Sequence, residues 1–224
     1  MKTRLINGEK TQDNNGLIIY FAGWGTPTTL ISHLALPKNY DLLICYDYQD
    51  LKLDFDFSVY KQIRVVAWSM GVWVANQVLA DISTVSATAI NGTGSPCDDD
   101  FGIPHTIFLG TLTNLNEINL VKFQRRICGN KDNFNYYQDC EKQDLSVRNI
   151  ENLKSELTAL YQEILKTEHS KLLNWSRVII GKQDKIFPII NQRNYWENKC
   201  NEIIFMDIAH YPFNLFSHWS ELWD

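Results

Sequence analysis

Short apolar runs separated by polar breaks recur along most of the chain. Runs at 17–22, 42–46 and 63–67 are rich in Ile, Val, Leu and Tyr and are bounded by Gly, Asp or Asn. Continuous apolar runs of this length are what strands covered on both faces look like, because neither face then meets water. The signal repeats at 86–90, 177–180 and 202–206, and 3–6 could supply an earlier strand. Helical stretches lie between these runs. The clearest is 70–80, free of Gly and Pro after Gly71 and filled with Val72, Trp73, Ala75, Val78 and Leu79. Strand, turn and helix therefore meet at Ser69. Strands that alternate with helices predict an α/β class with a mostly parallel central sheet flanked by helices.

One stretch breaks the alternation. From 111 to 170 the sequence is polar and helical, with no strand run of comparable strength. Within it Ile150, Leu153, Leu157, Leu160, Tyr161, Ile164 and Leu165 recur at helical spacing, which predicts an amphipathic helix. The expected organisation is one domain over 1–224, with a helical cap insertion at 111–170 lying over the sheet edge.

Composition narrows the partners. The chain is 45% hydrophobic, which excludes a disordered tail, and its 21 Lys and Arg against 26 Asp and Glu make nucleic acid an unexpected partner. The longest apolar stretch, 17–24, falls short of the ~20 residues a spanning helix needs, and the mixed charges of 1–12 do not resemble a secretory signal. Five scattered cysteines without a C-x-x-C pair read as free thiols, so the expected compartment is cytoplasmic. Asp98, Asp99 and Asp100 read as a solvated loop, and Gly92 and Gly94 lack the Lys-Ser/Thr ending of a phosphate loop. No metal and no cofactor are expected.

The chemistry centres on Ala67-Trp68-Ser69-Met70-Gly71. A small-x-Ser-x-Gly pattern between strand and helix puts the serine on a tight turn, and neighbouring backbone comes too close for larger side chains at the small positions. Taken alone, such a serine is as readily a helix cap. A nucleophilic serine needs a base and a carboxylate to orient that base, and both follow in the chain. Asp184 comes just after the 177–180 run and His210 just after the last one. Asp207 is the rival acid, whereas His33, His105, His169 and His218 have no comparable setting. An oxyanion would need two donors, and the backbone amides of Trp24, in Phe21-Ala22-Gly23-Trp24-Gly25, and of Met70 are the candidates. Apolar contacts for a substrate could come from Trp24, Trp68 and Met70.

With these residues placed, the chain resembles the α/β-hydrolase superfamily, and within it the BioG-type pimeloyl-[acyl-carrier protein] methyl ester esterases of biotin synthesis. FAGWG at 21–25 and AWSMG at 67–71 carry the resemblance, with the Asp184 and His210 segments, and it extends over 17–224. Ala67 stands where Gly is more usual and Ala22 where many relatives have His. The resemblance implies hydrolysis of the methyl ester at the far end of a pimeloyl chain held as a thioester on acyl-carrier protein. It leaves open an esterase or thioesterase of other specificity, and a non-catalytic binding protein on the same fold. An acidic carrier would need a local basic patch on this net-negative chain, for which Lys122, Arg125 and Arg126 are candidates at i, i+3 and i+4 of a helix.

Overall fold

The computed structural model describes residues 1–9, 16–146, 148–167 and 172–224. Gln12, His169 and Ser170, which figure in the sequence expectations, lie outside the described residues. Among the described residues, seven strands form one sheet: β1 (Lys2–Ile6), β2 (Gly16–Phe21), β3 (Tyr40–Tyr46), β4 (Gln62–Trp68), β5 (Ser86–Ile90), β6 (Arg177–Gly181) and β7 (Ile203–Met206). Their order is β1-β3-β2-β4-β5-β6-β7, with β1 antiparallel to β3 and the other pairs parallel. All six apolar runs of the sequence, and the earlier one at 3–6, are strands of this sheet.

Alternation along the central strands sorts side chains onto two cores. Leu17, Ile19 and Phe21 of β2 join Ile63, Val65 and Ala67 of β4 on one face. Ile18 and Tyr20 join Val66 and Trp68 on the other. Each fully buried aliphatic side chain contributes roughly 1.5–3 kcal/mol, so two-sided burial of β2 and β4 anchors the sheet centre. Helix α1 (Met70–Leu79) packs on the first face through Val72, Trp73, Ala75 and Leu79. The second face is closed largely by loops and 3-10 turns, with Tyr211, Phe213, Trp219 and Leu222 as fillers.

Among the described residues, four helices lie between β5 and β6: α2 (His105–Thr113), α3 (Glu117–Cys128), α4 (Lys131–Gln143) and α5 (Ile150–Lys166). Helix α6 (Ile189–Trp196) follows β6. The helical stretch therefore begins at His105, ahead of 111. Asn116, Asn130 and Asn149 cap α3, α4 and α5, each side chain accepting from the amide three residues on, and Gly129 ends α3 at φ 75°. Such caps contribute about 1 kcal/mol each and divide the stretch into separate helices.

Two buried carboxylates fasten these helices to the segments that follow β2 and β3. Asp144, after α4, accepts from the backbone and hydroxyl of Thr28 and from the Thr29 amide. Burial alone would raise its carboxyl, but hydrogen bonds from Ser146 and Thr28 outweigh that and hold it below the usual range. Glu156 of α5 accepts from the Tyr48 amide at 2.8 Å and meets Arg148, which also reaches Asp47 beyond β3. No helix among the described residues is long and apolar enough to cross a membrane.

Candidate active site

The connections leaving β2 and β4 run in opposite directions across the sheet, toward β3 and toward β5. That divergence opens a crevice at their carboxyl ends, the usual ligand position on open α/β sheets. Trp24 follows β2 and Ser69 follows β4, so both stand at its lip.

Ser69 takes φ 58° and ψ −125°, a conformation few non-glycine residues adopt. The turn is held by close backbone packing. A Cβ at Gly71 would lie 2.4 Å from the Phe21 carbonyl oxygen, and one at Gly92 would lie 2.3 Å from that of Ser69. This confirms why small residues flank the serine. The Ser69 hydroxyl makes no cap hydrogen bond to α1, which disposes of the capping role. Its Oγ lies instead 2.8 Å from His210 Nε2.

His210 Nδ1 in turn lies 2.9 Å from Asp184 Oδ2. An ionised carboxylate only accepts, so Nδ1 carries the proton and Nε2 is left to accept from Ser69. The Asp184 carboxylate has no exposed side-chain surface. Its Oδ1 accepts from the amides of Ile186 at 2.7 Å and Phe187 at 3.0 Å, and its Oδ2 also accepts from Gln192 Nε2 at 3.0 Å. The imidazole stacks parallel to Phe187, 6.0 Å between centroids. The turn that leaves β4 and the two loops that leave β6 and β7 thus bring together a hydroxyl, a carboxylate and an imidazole from residues far apart in sequence.

Asp207 is elsewhere. It is exposed and accepts from Gln183 Nε2 at 2.8 Å. His33 bonds Tyr136 and the Phe213 carbonyl, His105 sits beside Asp99, and His218 closes a 3-10 turn. Asp98 and Asp99 accept from nearby backbone amides, and no group of three or more His, Cys, Asp or Glu among the described residues could hold a metal ion. All five cysteines are free and buried.

Gly23, Trp24, Ser69, Met70 and His210 line one cleft. Met70 is the first residue of α1, so its amide has no partner within the helix. The Trp24 indole donates to the Leu153 carbonyl at 3.1 Å and packs edge-on against Phe123, 5.3 Å between centroids. Trp68 lines the cleft but is otherwise a core residue, its indole N–H donating to the His210 carbonyl at 2.8 Å. The far wall is apolar, built by Phe108 of α2, Phe123 and Ile127 of α3 and Leu157 of α5. Helical spacing marked Leu157 only as an apolar face; nothing local in the sequence marks Phe108, Phe123 or the support from Gln192.

The three basic candidates of α3 diverge. Lys122 and Arg126 line a groove between α2 and α3, which shares Ile107, Thr111, Phe123 and Arg126 with the cleft. Arg125 turns the other way, its guanidinium 5.1 Å above the Phe134 ring of α4. Adjacent positions on a helix point about 100° apart, so Arg125 and Arg126 leave α3 on different sides, and Arg126 lies 5.8 Å from the Phe123 ring centre.

Comparison with known proteins bears on this site. The crystal structure of BioG from Haemophilus influenzae is 50% identical, with a TM-score of 0.92 over 100% of both chains. A family model described as pimeloyl-ACP methyl esterase BioG matches residues 1–222. The chain belongs to the BioG family. A Bacteroides fragilis protein named malonyl-[acyl-carrier protein] O-methyltransferase is 47% identical over 199 residues, which are 87% of this BioG-family chain but 39% of that protein. The fold is that of the α/β-hydrolases: a hydrolase from Oleispira antarctica superposes with a TM-score of 0.62 at 11% identity, covering 98% of this chain and 90% of that one. Family and fold together make this BioG-family protein a hydrolase.

Proposed function

We propose that this protein is a serine esterase that converts pimeloyl-[acyl-carrier protein] methyl ester to pimeloyl-[acyl-carrier protein] and methanol in biotin synthesis. The observation that carries the reading is the hydrogen-bonded chain from Ser69 through His210 to Asp184, on the floor of an apolar cleft in a BioG-family protein. His210 Nε2 takes the Ser69 proton as Oγ attacks the ester carbonyl, and Asp184 stabilises the imidazolium without taking a proton. The backbone N–H groups of Trp24 and Met70 receive the negative oxygen of the tetrahedral intermediate. His210 then protonates the departing methoxide, and methanol leaves. Water, deprotonated by the same imidazole, attacks the acyl-serine ester and frees the carboxylate.

Selectivity in this reading comes from position. The four-helix insertion acts as a cap, and its apolar wall, with Trp24, Trp68 and Met70, receives the methylene chain. The thioester stays outside with the carrier. The Bacteroides protein supports such a place: its name describes O-methylation of malonyl-[acyl-carrier protein], a reaction that makes a methyl ester, and part of it matches this chain.

The carrier-protein end of the substrate is assigned to the exposed surface of α3, where Lys122 and Arg126 on the groove side and Arg125 on the side toward α4 offer positive charge to an acidic partner. Joint replacement Lys122→Glu and Arg125→Glu is expected to raise KM for the carrier-bound methyl ester about tenfold and to flatten its salt dependence. Hydrolysis of a small p-nitrophenyl ester should change less than about twofold, because neither side chain reaches Ser69. Equal loss on both substrates would count against docking on this face.

A further inference from the structure

Asn91 follows β5 and is completely buried, at φ 46°. Asparagine enters this left-handed region more readily than other side chains, so the residue type suits the turn. The turn alone does not account for its amide. Nδ2 donates to the Ala209 carbonyl at 3.0 Å and to the His210 carbonyl at 2.9 Å. Oδ1 accepts from the Gly181 amide at 2.6 Å. Both side-chain N–H groups and the carbonyl are thus spent on the two strand ends that carry His210 and Asp184.

The surroundings make this a junction. Gly181 is packed so tightly that a Cβ there would lie 2.7 Å from the Ile208 carbonyl oxygen and 2.8 Å from that of Ala209. The His210 carbonyl takes a second donor, the Trp68 indole, from the residue before Ser69. On the other flank of Asn91, Ile90 accepts from the Ser69 amide at 2.9 Å, and Gly92 packs against the Ser69 carbonyl. The Asn91-Gly92 pair, of which the sequence marked only Gly92, as part of a failed phosphate loop, therefore touches all three arms of the site. Asn91 does not line the cleft and cannot touch substrate.

We propose that Asn91 is a positioning residue that sets where the His210 ring stands between Ser69 and Asp184. The proposal rests on the reading of those three residues as the catalytic group. Its side-chain chemistry is specific. A carboxylate in its place has no proton to give two carbonyl oxygens, and an aliphatic side chain would leave the Ala209 carbonyl and the Gly181 amide without this partner and take one of two donors from the His210 carbonyl. Freed of Asn91, the His210 backbone would retain one side-chain anchor, the Trp68 indole, and a ring displaced by a fraction of an ångström transfers protons poorly.

The test compares Asn91→Asp, Asn91→Gly and Ser69→Ala with the unaltered protein on a p-nitrophenyl ester. Asn91→Gly keeps the left-handed backbone without strain, so it guards against a folding failure of Asn91→Asp. Rates are referred to folded protein, measured by circular dichroism. Both Asn91 variants are expected to lose about 10–100-fold in kcat with KM changed less than about twofold. The downfield proton NMR signal of the His210 imidazole N–H, which reports its bond to Asp184, should shift or broaden in both and persist in Ser69→Ala. A folded Asn91→Gly protein with unchanged kcat and an unchanged imidazole signal overturns the proposal. If Ser69→Ala keeps its activity, the catalytic reading itself has failed; if Ser69→Ala is inactive while both Asn91 variants keep full kcat, only the positioning role has.

Discussion

Ser69→Ala is expected to lower kcat/KM for ester hydrolysis by roughly four to six orders of magnitude, with the melting temperature nearly unchanged. The separation of the two effects follows from the site. The hydroxyl does not cap α1, and the contact it makes is with His210 Nε2, so its removal takes away the nucleophile and one hydrogen bond. The unusual backbone is held by Phe21, Ile90 and Gly92 around it, all of which remain. Alanine carries the same Cβ as serine and meets no new neighbour. Kinetics on a p-nitrophenyl ester with a thermal melt of the same sample checks both parts. A folded variant with a tenth or more of the original activity would remove Ser69 as the nucleophile.

Asp184→Asn should cost about 10⁴-fold in kcat, a loss out of proportion to the change of one atom. The amide can keep its oxygen toward the Ile186 and Phe187 amides, which now bond Oδ1. Its NH₂ group then faces His210 Nδ1 and Gln192 Nε2, where two donors already point. His210 relieves the conflict by moving its proton to Nε2, and the nitrogen that must accept from Ser69 becomes a donor. Asp207→Asn should stay within about twofold of the original rate, since Asp207 lies on the surface with Gln183. The reverse ranking of the two variants, measured as kcat at a pH where the imidazole is neutral, would assign the acid to Asp207.

Most of the sheet was legible because burial on both faces leaves continuous apolar runs. The reading of 63–67, a serine turn and a helix from 70 reappears as β4, Ser69 and α1 with ends moved by a residue. The helical stretch was less legible. Its last helix showed through the spacing of Leu153, Leu157 and Leu160, while α2, α3 and α4 each bury no more than three residues. The repeated Asn-x-x-Asn at 116, 130 and 149 was the available sign of three separate starts. In the site, residue types that do chemistry announced themselves at strand ends. Residues that hold them in place did not: Gln192, Asp144 and Asn91 are ordinary polar residues until the fold brings distant backbone against them. The basic trio shows the same limit, since spacing grouped three charges on one helix, whereas Lys122 and Arg126 face the groove and Arg125 lies over Phe134 of α4.

In the proposed reaction Ser69 acts on the distal ester of a carrier-bound chain and spares the thioester. Intact-protein mass spectrometry of methyl pimeloyl-[acyl-carrier protein], incubated with this protein or its Ser69→Ala variant, reads that choice directly. The carrier is expected to keep its acyl chain and lose only the mass difference between methyl ester and acid, with no change under Ser69→Ala. A carrier stripped back to its free thiol, or conversion that proceeds equally with Ser69→Ala, would contradict that reaction.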